Sequence, residues 1–115
     1  MKTVNDVQAR ALQILGVVGA GQSANIEDLE AIDLVAVAAS LLAERVCDLT
    51  GQVAADEIDD AFMIPFAEVA AADHAAIFGQ ALDWSKAIRQ SGVERIEYII
   101  RADQPVAPLR IEYVG

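Results

Sequence analysis

TVNDVQARALQILGVVGAGQSANIEDLEAIDLVAV, residues Thr3 to Val37, decides how this chain is read: a capped helix, a glycine-broken turn, an acidic cap and the start of a second apolar helix. Thr3 precedes Val4, Val7, Ala11, Ile14 and Leu15 at helical spacing, which predicts a first helix running to about Leu15. Gly16, Gly19 and Gly21 end it. Ser23 or Asn25 then opens a second helix whose early acids, Glu27, Asp28 and Glu30, suit the positive end of the helix dipole. With Thr50 and Gly51 as its stop, this second helix is expected to continue to about Leu49.

Projected as one uninterrupted helix, that segment carries a broad apolar arc of Leu29, Ile32, Val35, Ala39, Leu42, Val46 and Leu49. A smaller patch of Leu34, Val37 and Leu41 lies among Glu30, Asp33, Glu44 and Asp48. Two apolar sides require two neighbours, so the smaller patch is expected to meet another subunit.

Downstream, Phe62, Met63 and Ile64 lead into Pro65, which fits the first turn of a third helix ending near Phe78 and Gly79. A fourth helix is expected from Ala81 to about Gln90, broken by Ser91 and Gly92. The tail then changes period. ERIEYIIR and LRIEYV alternate apolar and polar residues, and RIEY occurs at both Arg95–Tyr98 and Arg110–Tyr113. Paired antiparallel, Arg95 would face Glu112 and Glu97 would face Arg110. An isolated two-stranded ribbon is marginal in water, so it would have to pack on its own helices or on a neighbouring chain. Glu94 to Arg101 contains no breaker and reads alternatively as helix. The expected fold is therefore mainly α: a four-helix bundle-like body over residues 1–92, and a C-terminal extended arm or β-hairpin over 93–115.

Charge narrows the function classes. The net charge is −10, and residues 25–75 hold twelve acids against one base, Arg45. Such a field repels phosphates, so specific nucleic-acid binding is not expected, although DNA could slide past such a surface without sticking. The single cysteine, Cys47, excludes an internal disulfide and reads as a buried inert thiol. No uncharged run approaches the length that spans a bilayer, which predicts a protein without membrane contact, made in a reducing cytoplasm.

Residues able to carry chemistry are few. His74 is the only histidine, and no serine or cysteine nucleophile has an evident relation to it. Glu27 and Glu30 are three apart on one helix face, and Asp56, Asp59 and Asp60 share a face if their segment is helical, so two acidic faces could converge on a divalent cation. All-helical Mg-dependent nucleotide pyrophosphohydrolases use acid pairs of that kind, but Arg45 is the only base nearby to hold phosphates. Gly16, Gly19 and Gly21 match no phosphate-binding loop. A non-enzymatic protein with neither cofactor nor metal is expected; a small acidic helical protein that neutralises a basic partner is a further alternative. Trp84, Tyr98 and Tyr113 are candidate interface anchors, and Lys86, Arg89, Arg95 and Arg101 are suited to an acidic partner surface. Together with Leu34, Val37, Leu41 and Arg110, the residues Trp84, Arg95, Tyr98, Arg101 and Tyr113 form the expected partner interface.

Two stretches, ALQILGVVGAGQSANIEDLEAIDLVAVAASLLAERV and FMIPFAEVAAADHAAIFG, carry a resemblance. Their order of helix, Gly/Ser/acidic turn, long second helix and apolar-proline segment is similar to the head-to-tail adaptor (head completion, or connector) proteins of tailed bacteriophages and related particles. The resemblance implies a homo-oligomeric ring, commonly of twelve copies, docked under the portal protein. That ring would continue the DNA channel and accept the next tail component, a stopper or the tail itself. It implies residence at the head-tail junction of a virion, after assembly in the host cytoplasm.

Overall fold

The structure, a computed structural model, describes residues 1–19 and 21–103. It is mainly helical: α1 Val4–Ile14, α2 Ile26–Ala31, α3 Leu34–Ala43, α4 Thr50–Ala55, α5 Met63–Asp73 and α6 Leu82–Asp103, with 3-10 turns at Asp60–Phe62 and Ala75–Phe78. The first helix starts as expected. The Thr3 hydroxyl accepts from the Asp6 N–H at 3.1 Å while the Asp6 carboxylate accepts from the Thr3 N–H at 2.9 Å, a reciprocal capping box. The Thr3 backbone bond holds the Asp6 carboxyl below its ordinary value.

The long second helix does not form; two short ones, α2 and α3, replace it, and α4 follows beyond its expected end. Ile32 is extended, and Asp33 takes up the role of a cap, its carboxylate accepting from the Ala36 N–H at 3.1 Å. The Asp33 N–H is itself drawn away to His74 Nε2, at 3.0 Å. An aspartate that bonds locally to backbone competes with the helix it sits in, and here the competition wins. At the other end of α3, Arg45 adopts the left-handed conformation with φ 61°. The Val46 N–H then reaches the Leu41 carbonyl and the Arg45 N–H the Leu42 carbonyl, both at 3.0 Å, which is a Schellman stop. Thr50 begins α4 rather than ending a helix. Asp56, at φ 57°, closes α4 with the same pair of bonds, from Glu57 N–H to Gln52 and from its own N–H to Val53.

Breaking the helix resets its phase. The inward face of α3 is Leu34, Val37, Ala38 and Leu41, and Val35 and Leu42 of the expected core arc point outward. The centre of the molecule is α5, apolar on nearly every side. From Pro65 to Ala72 only Glu68 is not buried, and α1, α3 and α6 pack around it. Small alanines allow close approach, and Phe66 fills the space between α5 and its neighbours as the largest fully buried side chain.

The fourth helix is the second large departure. It does not stop at Gly92 but continues to Asp103 through the segment expected to be a strand. Gly92 is a packing residue: a Cβ there would meet the Pro65 carbonyl oxygen at 2.8 Å and Val69 Cγ2 at 2.9 Å. Ile96, one turn on, is fully buried. The first half of the expected ribbon is thus helical, and Arg95 lies 3.5 Å from Glu68 of α5 instead of facing Glu112. The second half, residues 109–114 with Arg110 and Tyr113, lies outside the described residues, as does most of the expected arm.

Candidate docking interface

The sequence-predicted interface residues scatter. Leu34, Val37 and Leu41 are 2%, 2% and 0% exposed and belong to the chain's own core, so they are not available to a partner in this fold. Trp84 is half-buried against that core. Arg95 pairs with Glu68 within the chain, while Tyr98 and Arg101 are exposed on the C-terminal half of α6. Arg95 remains exposed beside that pairing, and Tyr98 and Arg101, one turn apart on α6, face outward without an ion pair among the described residues.

Part of the broad apolar arc expected on the second helix faces solvent. Val35 is 68% exposed and Leu42 45%, with the exposed Ala39 between them on the outer side of α3. Beside them, Val35, Ala38, Thr50, Val53 and Ala54 line an apolar cleft of about 130 Å³ between α3 and α4. A second exposed group lies where the end of α1 meets the turn before α6. Gln80 Nε2 donates to the Leu15 carbonyl at 2.9 Å, which ties the turn before α6 to the end of α1. Val17, Ile77 and Leu82 are exposed on the two segments so tied. The signal for α3 was present: Asp33 followed by Leu34, Val37, Ala38 and Leu41 is a cap before an i, i+3, i+4, i+7 stripe.

The charged residues are engaged mostly within the molecule. Arg89 of α6 donates from Nε to Asp73 Oδ1 at 2.8 Å, and from Nη1 and Nη2 to the two oxygens of Glu44 at 2.8 and 2.9 Å. Its Nη2 also donates to Ser40 Oγ at 2.9 Å. One guanidinium thereby joins the C-terminal ends of α3 and α5, where a cation also complements the helix dipoles. The bond from Arg89 holds the Glu44 carboxyl below its ordinary value, and Glu44 in turn raises that of Arg89. Arg89 and Arg95 were expected to meet acids of a partner; they meet acids of their own chain.

Several of the residues able to carry chemistry are bonded to backbone. The Asp33 N–H can only donate, so His74 Nε2 accepts from it and Nδ1 carries the proton, donated to the Ala70 carbonyl at 2.8 Å. Both ring nitrogens therefore hold backbone in place. Asp56 accepts from the Val4 N–H at 2.7 Å and Asp59 caps the 3-10 turn at Ala61, so two of the candidate metal ligands are also bonded to backbone. Among the described residues no group of three or more His, Cys, Asp and Glu side chains converges as a metal site. Cys47 is half-buried, and burial, followed by the neighbouring Asp48 charge, pushes its thiol up to about 11. No helix of the described residues is long and apolar enough to cross a membrane.

No family model matches the sequence, and neither a curated protein nor a solved structure shows significant similarity to it.

Proposed function

We propose that the chain is a non-enzymatic structural adaptor, a head-to-tail connector that forms a ring under the portal of a tailed phage or phage-like particle. The observation that supports this reading most is the apolar outer face of α3, Val35 to Leu42, beside the cleft formed with α4. Contiguous exposed apolar surface on a small helical protein is ordinarily covered by another chain. The surplus of acids fits the same role, because the wall of a DNA passage must repel phosphate rather than hold it. In this reading the ring, on the order of a dodecamer, meets the portal protein on one side and the stopper or tail on the other. It resides at the head-tail junction of the virion after assembly in the host cytoplasm.

The test is co-sedimentation of the purified chain with portal rings from the same genome, with V35D and L42D as variants. A complex with the native chain that is lost in both variants is the expected result. A chain that ignores the portal at every concentration would overturn the proposal.

A further inference from the structure

One side of α1 carries two cations that the rest of this acidic molecule leaves unmatched. Lys2, Asp6, Ala9, Arg10, Gln13 and Met63 line a groove of about 270 Å³ there. Neither Lys2 nor Arg10 has an ion-pair partner among the described residues. Arg10 is half-buried; its Nε is enclosed without an acceptor, and Nη1 reaches only Gln13 Oε1, at 3.4 Å. The acids of this region are already engaged. The Asp6 carboxylate accepts from the Thr3 N–H within the capping box, and Asp60 pairs with the N-terminal amine at 3.2 Å. A partly desolvated guanidinium with donors to spare is stabilised by a carboxylate brought to it from outside.

Helix α2 has the complementary surface. Ile26 is 69% exposed, and Glu27 and Glu30 are exposed with neither a hydrogen bond nor an ion pair among the described residues. At ~100° per residue the three share one side of the helix. One apolar side chain beside two carboxylates thus answers a groove in which Ala9 and Met63 stand beside two cations. The two surfaces do not meet within one molecule. Gln8 turns toward α2, its Nε2 donating to the Ile32 carbonyl at the end of that helix at 3.0 Å. Asp6 and Arg10 are each two positions from Gln8, which puts them on roughly the opposite side of α1.

We infer that α2 of one copy docks on the α1 groove of the next, with Ile26 against Ala9 and Met63 and with Glu27 and Glu30 facing Lys2 and Arg10. A contact between two different surfaces repeats head to tail, which is how a ring closes. The inference rests on the ring reading proposed above and names the contact that joins its subunits.

Sedimentation velocity of the full chain, without portal, tests it over a concentration series at low and high salt. The native chain is expected to self-associate at low salt and to dissociate as added salt screens the contact. K2E/R10E and E27K/E30K should each weaken association about tenfold or more, because each sets like charges against one another. An equimolar mixture of the two should restore it, since the altered surface of each matches the altered surface of the other; misfolded variants would not be rescued. In a mixture of isotope-labelled and unlabelled native chains, carbodiimide should join Lys2 of one copy to Glu27 or Glu30 of another. A native chain that stays monomeric throughout overturns the inference, as does association that K2E/R10E leaves intact or that mixing does not restore. None of these outcomes decides the connector reading, which stands or falls on portal co-sedimentation and on the outer face of α3.

Discussion

The seam between α5 and α6 and the shell formed by α2, α3 and α4 are built from similar residues to opposite effect. In the seam, alanines, Gly92 and Ile96 bring two helices into close contact, and Arg95 approaches Glu68 at its edge. In the shell, helices of 6, 10 and 6 residues expose Ile26, Val35 and Leu42. Helices that short are not stable by themselves and depend on tertiary contact. The difference teaches where stability and association reside: the seam satisfies itself, and the shell presents apolar surface outward.

Substitutions can break or sharpen that contrast. The largest effect is expected for Phe66→Ala, which empties the centre of the core and should cost about 3–5 kcal/mol by urea unfolding. Val35→Ala, on the outer face of α3, should change stability by less than ~0.5 kcal/mol. Equal losses at the two positions would erase the distinction. Gly92→Val comes next at about 3 kcal/mol, because its branched side chain has to displace the Pro65 backbone carbonyl.

Arg89→Ala should cost about 1–2 kcal/mol at neutral pH, read as a shift in the urea midpoint. Its pH dependence follows from Glu44, whose folded value lies below the ordinary 4.5. A depressed carboxylate contributes stability above its unfolded value and loses it as pH falls through the folded one. The gap between native and variant should therefore narrow below pH 4.5. A smaller effect, of opposite sign, is expected at Arg45, where a side chain occupies the left-handed region. Arg45→Gly should gain up to ~1 kcal/mol in thermal unfolding, by relieving the left-handed strain without adding a contact. Cys47 should alkylate about 100-fold more slowly than an unperturbed thiol at mildly alkaline pH in a timed iodoacetamide assay, in line with its displacement from 9.0 to about 11.

Helix starts were more legible than helix stops. Thr3 caps as read, Asn25 is the one of the two offered starts, Ser23 or Asn25, that caps α2, and Pro65 falls in the first turn of α5. Gly16 and Gly79 take the left-handed conformation and close their helices with Schellman bonds, as a glycine in that place suggests. Arg45 and Asp56 perform the same task, yet neither residue type announces it. Gly92 misled in the other direction, because in sequence a glycine that breaks a helix and one that admits a neighbouring backbone look alike. The alternation in ERIEYIIR reflects a helix whose buried position, Ile96, is set by α5, a contact that local pattern does not carry. For the candidate interface, the acidic surplus and the excess of apolar helix surface could be read. Which face turned outward was carried by the Asp33 cap ahead of Leu34, Val37, Ala38 and Leu41, a signal hidden once the segment is projected as one uninterrupted helix; the bond from the Asp33 N–H to His74, 41 residues away, is the part of that break no local pattern carries.

The pinning of the first residues has a consequence during synthesis. Lys2 exchanges backbone bonds with Ile58 at 2.8 and 2.6 Å, and Val4 is held by Asp56 across 52 positions. In a chain emerging in order, the residues of α1 and α3 come out before Asp56 and Ile58, so Lys2 and Val4 stay untied until α4 has also left the ribosome. Reversal of that long-range closure is the expected first step of local opening, which places the earliest amide exchange at the clasp rather than in the Phe66 core.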